Sequence, residues 1–221
     1  MTPVPLPPPD VVPVLHGTQV VLRPPRPADV GVVARLGVDP TIERFFGAER
    51  DARRGLTSRE AQAALARLDA RADTQGWVIE REGRLVGLAR LFGIELAERR
   101  ARYAITFLAR EHLGHGLGTE TTRLVLTYAF AVLGLHRVTA RVLAFNERAL
   151  ACFRACGFEE EGRERESVPF EGHWHDLVVM GVLDREFAAL AADRPECAGL
   201  SALARVVRGE LAEAAVSRPA P

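Results

Sequence analysis

The chain has 221 residues, of which 48% are hydrophobic and 26% charged, enough for one domain with its own core and short appendages but not for two full domains. Its 29 basic and 29 acidic residues cancel, which excludes a nucleic-acid or membrane-surface binder that works through bulk charge. Apolar runs such as Val178–Leu183 are far too short to cross a bilayer.

In chain order, Met1–Asp10 is dominated by proline and carries no positive charge, unlike a secretory signal. Residues 1–15 read as an extended, polyproline-like tail. Thr18–Leu22 is a β-branched run that predicts a strand, and Pro27–Leu36, with Asp29 early in it, predicts a helix. Thr57 followed by Glu60 is a capping box opening a helix over Ala61–Ala72. Gly76–Glu82 and Arg84–Leu91 alternate around Gly83 and predict a hairpin, with Ala101–Ala109 as the third strand of a meander. A glycine-rich turn, a long helix from about Gly116 to Leu133 and a strand over His136–Leu143 follow. Helix Glu147–Cys156 and strands near Phe158–Arg165 and His173–Leu183 complete a body over residues 16–187, a mixed α/β (α+β) layer. The alanine-rich end, residues 188–221, reads as a helical extension broken near Arg194-Pro195-Glu196. Its apolar stripe Leu200, Leu203, Val206 and Leu211 suits packing on the body or a homodimer.

All 29 basic residues are arginine; the chain has no lysine. Codon bias accounts for this, and an enzyme that modifies amines also gains from lacking ε-amines of its own. Three cysteines leave one over after any pairing, and Cys152 and Cys156 lack the CxxC spacing, which together read as a reduced, cytoplasmic protein. His173 and His175, at i and i+2, share a strand face, but no third ligand accompanies them and no metal is implied.

The segment Leu113-Gly114-His115-Gly116-Leu117-Gly118-Thr119-Glu120 joins a strand to a helix. Alternate glycines let the backbone approach a ligand and turn its N–H groups inward, and the helix N-terminus favours a pyrophosphate. The spacing is neither the dinucleotide fingerprint nor a Walker loop. Further on come Asn146-Glu147-Arg148-Ala149 and Phe153-Arg154-Ala155-Cys156-Gly157-Phe158.

Together these motifs resemble the GNAT superfamily of acetyl-CoA-dependent N-acetyltransferases, over roughly residues 17–187. The end, EGHWHDLVVMGVL, is similar to the Rim-type ribosomal-protein N-terminal acetyltransferases. The resemblance implies the GNAT fold, a mixed, mostly antiparallel sheet splayed at its middle and flanked by helices, with acetyl-CoA as co-substrate. It implies that Gly114, His115, Gly116, Leu117, Gly118 and Thr119 offer N–H groups to the CoA pyrophosphate. Thr106, Phe107 and Leu108 are implied to hydrogen-bond the pantetheine arm as an added strand does. A bulge at the splay would leave an N–H free for the thioester carbonyl. Asn146 is implied to bond the pantetheine or the nearby backbone, a role compatible with capping the helix that begins at Glu147.

Two positions depart from the family pattern. Where many members carry a tyrosine that protonates the CoA sulfur, this chain has Phe153. Where Rim-type relatives carry a serine, it has Ala149. A thiol of pKa about 8.5 can still leave as thiolate beside a helix N-terminus. For the base that deprotonates the amine, Glu166 and Asp176 are the first candidates, with Glu111 and His112 also open. The run Glu159-Glu160-Glu161 with Glu164 and Glu166 reads either as clustered carboxylates for an aminoglycoside or as a solvated edge with arginine partners. The acceptor is expected to be a protein N-terminal α-amine. The alternatives are a small amine (polyamine, aminoglycoside or metabolite) and a catalytically silent acyl-CoA-binding module.

Overall fold

The computed structural model describes residues 12–37, 39–47, 56–68 and 73–193. The C-terminal extension beyond residue 193, its apolar stripe and the first eleven residues of the tail lie outside these. Eight strands form one sheet in the order β1-β2-β3-β4-β5-β6-β8-β7. They are β1 (Leu15–His16), β2 (Val21–Arg23), β3 (Thr74–Arg81), β4 (Arg84–Glu95), β5 (Arg100–Phe107), β6 (Arg137–Leu143), β7 (Glu159–Phe170) and β8 (His173–Leu183). Every neighbouring pair is antiparallel except β5 and β6.

The end of the proline-rich segment belongs to this fold. Leu15 is fully buried, and Trp77 Nε1 donates to Pro13 O at 2.9 Å. The strand expected over Thr18–Leu22 begins only at Val21, because Thr18 and Gln19 form a turn. Their N–H groups and the Thr18 hydroxyl all donate to the Glu120 carboxylate. The β3–β4 hairpin forms where Gly83 predicts it. Glu82 and Gly83 both have positive φ, 51° and 73°, as a two-residue type I′ turn requires.

Helices cover both faces. On one, α1 (Asp29–Leu36) and α3 (Ser58–Ala66) bury Val33, Ala61 and Leu65 on the strand residues Val78, Leu85 and Leu88. The Thr57–Glu60 capping box opens α3 as predicted. The entry to α1 is fixed by a buried bidentate pair, with Arg23 Nη1 and Nη2 each 2.7 Å from the Asp29 carboxylate. Arg23 Nε reaches Glu80 at 2.7 Å. Burial is the largest influence on Asp29 and acts to raise its pKa, yet the bonds from Arg23 and the Arg26 N–H outweigh it and hold the carboxyl below its usual range.

The other face carries α4 (Leu117–Thr127), a π-helical turn over Tyr128–Val132 that completes the predicted long helix, and α5 (Glu147–Arg154). α6 (Asp184–Asp193) follows β8, and its Phe187 packs against Phe130 at 5.6 Å between ring centres. The larger core lies here, including Trp77, Leu91, Tyr103, Leu117, Phe153 and Phe158. The sequence reading has no counterpart for α2 (Pro40–Arg44), which stands beside the opening described next.

Candidate active site

β5 and β6 run side by side only from Arg100↔Arg137 to Arg102↔Thr139. Beyond that point each keeps its other neighbour, β5 on β4 as far as Phe107↔Gly87 and β6 on β8 as far as Leu143↔Leu177. The sheet therefore opens into a V. Leu108 N–H donates to Val86 O at 3.0 Å, so even-numbered residues of β5 turn their main-chain groups to β4. The antiparallel alternation then points those of Ile105 and Phe107 across the gap toward β6.

The V holds a cavity of about 600 Å³ lined by parts of β5, the glycine loop, α5, β6 and α2, within the size range of small-molecule sites. Its floor includes Tyr103, whose hydroxyl lies 3.2 Å from Thr122 Oγ1 and whose pKa burial pushes well above the phenolic range.

The glycine loop closes one side. Gly114 and Gly116 have φ of 83° and 78°, conformations that side chains resist. Gly116 is the N-cap of α4 and supplies no side-chain cap, so the first-turn N–H groups remain for a ligand. Gly118 serves a different need: a Cβ there would come within 3.3 Å of Cys152 Sγ. Cys152 lines the cavity. Its thiol is brought down to about 7, chiefly by its hydrogen bond with Cys156, with Thr119 and Thr122 contributing.

α2 closes the other side. Asp39 caps it by accepting the Thr41 N–H at 2.8 Å, with Pro40 in the first turn. Three ties hold it over the gap. Asp39 N–H donates to Leu108 O at 2.9 Å, Asn146 Nδ2 to Phe45 O at 3.4 Å, and Arg44 pairs with Glu171 at 2.9 Å. The Asp39-Pro40 dipeptide is a helix-start signal in the sequence; the ties to Leu108 and Asn146 are not.

An acetyltransferase (GNAT) domain family matches residues 19–159. The chain belongs to the GNAT family. GNAT acetyltransferases use acetyl-CoA, and the inward-facing main chain of β5 and the uncapped start of α4 fit its pantetheine arm and pyrophosphate. The chain is 36% identical over 103 residues to the "Probable N-acetyltransferase YjcK" of Bacillus subtilis, covering 47% of this chain and 57% of that one. It is 32% identical over 103 residues to the spermidine N(1)-acetyltransferase of Vibrio cholerae, covering 47% and 59%. The chain thus spans a little over half the length of these curated relatives. A crystal structure of spermidine N-acetyltransferase from Vibrio cholerae with CoA and spermine superposes with a TM-score of 0.67 at 25% identity, covering 78% of this chain and 99% of that one. Relatives that include spermidine acetyltransferases do not single out the Rim-type subgroup.

Within this GNAT frame, Thr106, Phe107, Gly114, Gly116, Gly118, Thr119, Asn146 and Phe153 all line the cavity. Leu117 is fully buried beneath the loop, and His115 is exposed on it. Thr106, an even-numbered residue of β5, turns its main-chain groups to β4 rather than to the gap, and Leu108 does not serve as expected either. Both its main-chain groups are taken, its N–H by Val86 and its carbonyl by Asp39, and its side chain packs in the core under α1 and α3. The bulge expected at the splay is absent from β5, whose pairing with β4 is unbroken from Phe107 to Arg102. Asn146 caps α5, accepting the Ala149 N–H at 3.1 Å, while its amide donates to Phe45 O at the end of α2. Phe153 packs on Tyr103 and Phe158 at 5.9 and 5.1 Å.

The two carboxylates expected as bases do not line the cavity. Opposite Asp176, β7 contains a bulge between Glu164 and Val168, where Glu166 takes a φ of 50° and is exposed. Its N–H donates to Asp176 Oδ1 at 2.9 Å, so Asp176 braces the bulge. Of the earlier candidates, His112 is the one on the cavity wall. Three of the other acids of β7 pair with arginines: Glu160 with Arg163, Glu161 with Arg137 and Glu164 with Arg141. Phe170 is buried against Phe145 and His175, and Trp174 is 62% exposed.

Proposed function

We propose that this protein transfers the acetyl group of acetyl-CoA to a primary amine, and that the amine is a peptide or protein N-terminal α-amine. The observation that carries the reading is the parting of β5 from β6 directly beside the uncapped, glycine-built start of α4. The main chain of Ile105 and Phe107 binds an extended arm as a strand would, and places an N–H where a thioester carbonyl is polarised. The N–H groups around Gly116 to Thr119 receive the phosphates.

An α-amine fits the chemistry of the walls. Among the described lining residues no carboxylate is present, and His112 is the lone imidazole. An amine of pKa about 7.7–8.0 is partly neutral near pH 7, whereas one of about 10.4 needs a strong base to give up its proton. With Phe153 and Ala149 in place of proton donors, the sulfur leaves as thiolate. That same absence favours a second reading, a silent acyl-CoA binder.

The test is CoA-thiol release from acetyl-CoA with N-terminal peptides, polyamines and aminoglycosides. Release with the peptides supports the proposal, and preference for either other set removes the α-amine assignment. Tight acetyl-CoA binding without release in any set establishes the silent binder instead.

A further inference from the structure

We infer that the acceptor α-amine belongs to a segment whose first residue carries an apolar side chain of leucine or phenylalanine size. This rests on the transferase reading above and names the acceptor class within it. The lining supplied by α2 and the turn after it, the end of β6, β7 and β8 includes Ile42, Phe45, Phe46, Leu143, Val168 and Leu177, with Val142 and the charged Arg141 also from β6, a mainly apolar wall without an acid among the described lining residues. A side chain placed against it leaves water for apolar surface.

That wall is already formed. The ties from Asp39 and Asn146 fix the two ends of α2, and its following turn sits hard on β7: a Cβ on Gly47 would lie 2.8 Å from Val168 Cγ1. Little ordering is left to offset on binding. Phe46 remains 53% exposed at the cavity wall, so the fold leaves apolar surface that an acceptor side chain can cover.

Charge argues against a polycation in the same place. The guanidiniums on the cavity wall are Arg141, which is paired with Glu164, and Arg148, and no carboxylate stands among the described lining residues to receive a polycation. A polyamine would bring several positive charges beside these groups. A single α-amine enters neutral, with an apolar body behind it.

The experiment measures kcat/KM for thiol release from acetyl-CoA by the full chain. The acceptors are peptides identical except for a first residue of Leu, Gly or Asp, together with spermidine. The Leu peptide is expected to exceed the Gly peptide by about tenfold or more, with the Asp peptide and spermidine lower still. Phe46→Glu changes an exposed position; it is expected to bring the Leu/Gly ratio toward one and to raise spermidine relative to the Leu peptide. Phe46→Ala is expected to lower the Leu/Gly ratio without improving spermidine. Equal values for Leu and Gly peptides, or spermidine as the best acceptor, overturn this inference while the transferase reading stands. No thiol release with any acceptor overturns both.

Discussion

Replacing Asn146 separates its two tasks. Asn146 is 8% exposed; its Oδ1 accepts the Ala149 N–H at 3.1 Å and its Nδ2 donates to Phe45 O at 3.4 Å. In Asn146→Ala both bonds vanish. Loss of the N-cap costs about 1 kcal/mol, and loss of the second, long bond about 0.5–1 kcal/mol. A total of about 1.5–2 kcal/mol lowers Tm by roughly 3–8 °C for a domain of this size. Asn146→Asp keeps an equally good cap but has no N–H for Phe45, and sets a carboxylate against that carbonyl. Its stability should fall by less than that of the alanine variant, while the end of α2 loosens and the acceptor KM rises several-fold with the acetyl-CoA KM little changed. Thermal melts and initial-rate kinetics on both variants read this out. Identical acceptor KM in wild type and Asn146→Asp would refute the claim that Asn146 holds α2 over the gap.

Asp29→Asn leaves buried Arg23 with Glu80 as its carboxylate partner and should cost about 3 kcal/mol near neutral pH, read as a shift in urea midpoint. Because Asp29 has a depressed pKa in the folded state, its contribution is complete above the unfolded value of about 3.9. It is lost as pH falls through the folded value, so wild type and the Asp29→Asn variant should converge in acid; a constant difference down to about pH 2 contradicts the assignment. Cys152, with its thiol near 7, should react with iodoacetamide along a pH curve centred close to neutrality, and saturating acetyl-CoA should slow that reaction at least several-fold. Unchanged labelling in the presence of acetyl-CoA, followed by peptide mapping, would place the thiol outside the occupied groove. Phe153→Tyr adds a hydroxyl on the cavity wall and is expected to raise kcat about tenfold or more below about pH 8; an unchanged kcat would show that leaving-group protonation does not limit the rate.

What the sequence made legible was local. The Thr57–Glu60 box, the Gly83 hairpin, the glycine loop and the capping side chain of Asn146 each depend on residues a few positions apart, and each is found where it was read. What it hid depends on distant partners. Phe45 meets Asn146 across 101 positions, and Thr18 meets Glu120 across 102. The face of Glu166 could not be counted from strand alternation, because the bulge sets Arg165, Glu166 and Ser167 against Asp176 alone and breaks the period of two. The free donors of β5 could likewise be named only once its register with β4 was known. That register keeps Phe107 of the expected Thr106, Phe107 and Leu108, and adds Ile105.

We propose that acetyl-CoA gives up its acetyl group at the opening between β5 and β6, beside the start of α4. Gly116→Glu tests it, since a side chain at φ 78° costs about 1–2 kcal/mol and its carboxylate competes with phosphate for the α4 N–H groups. The measurement is thiol release and acetylated peptide counted together, in wild type and this variant, at saturating acceptor. One acetylated α-amine per thiol in wild type, with acetyl-CoA KM raised at least tenfold in the folded variant, is the predicted result. Equal rates and equal acetyl-CoA KM in the two proteins would contradict the account.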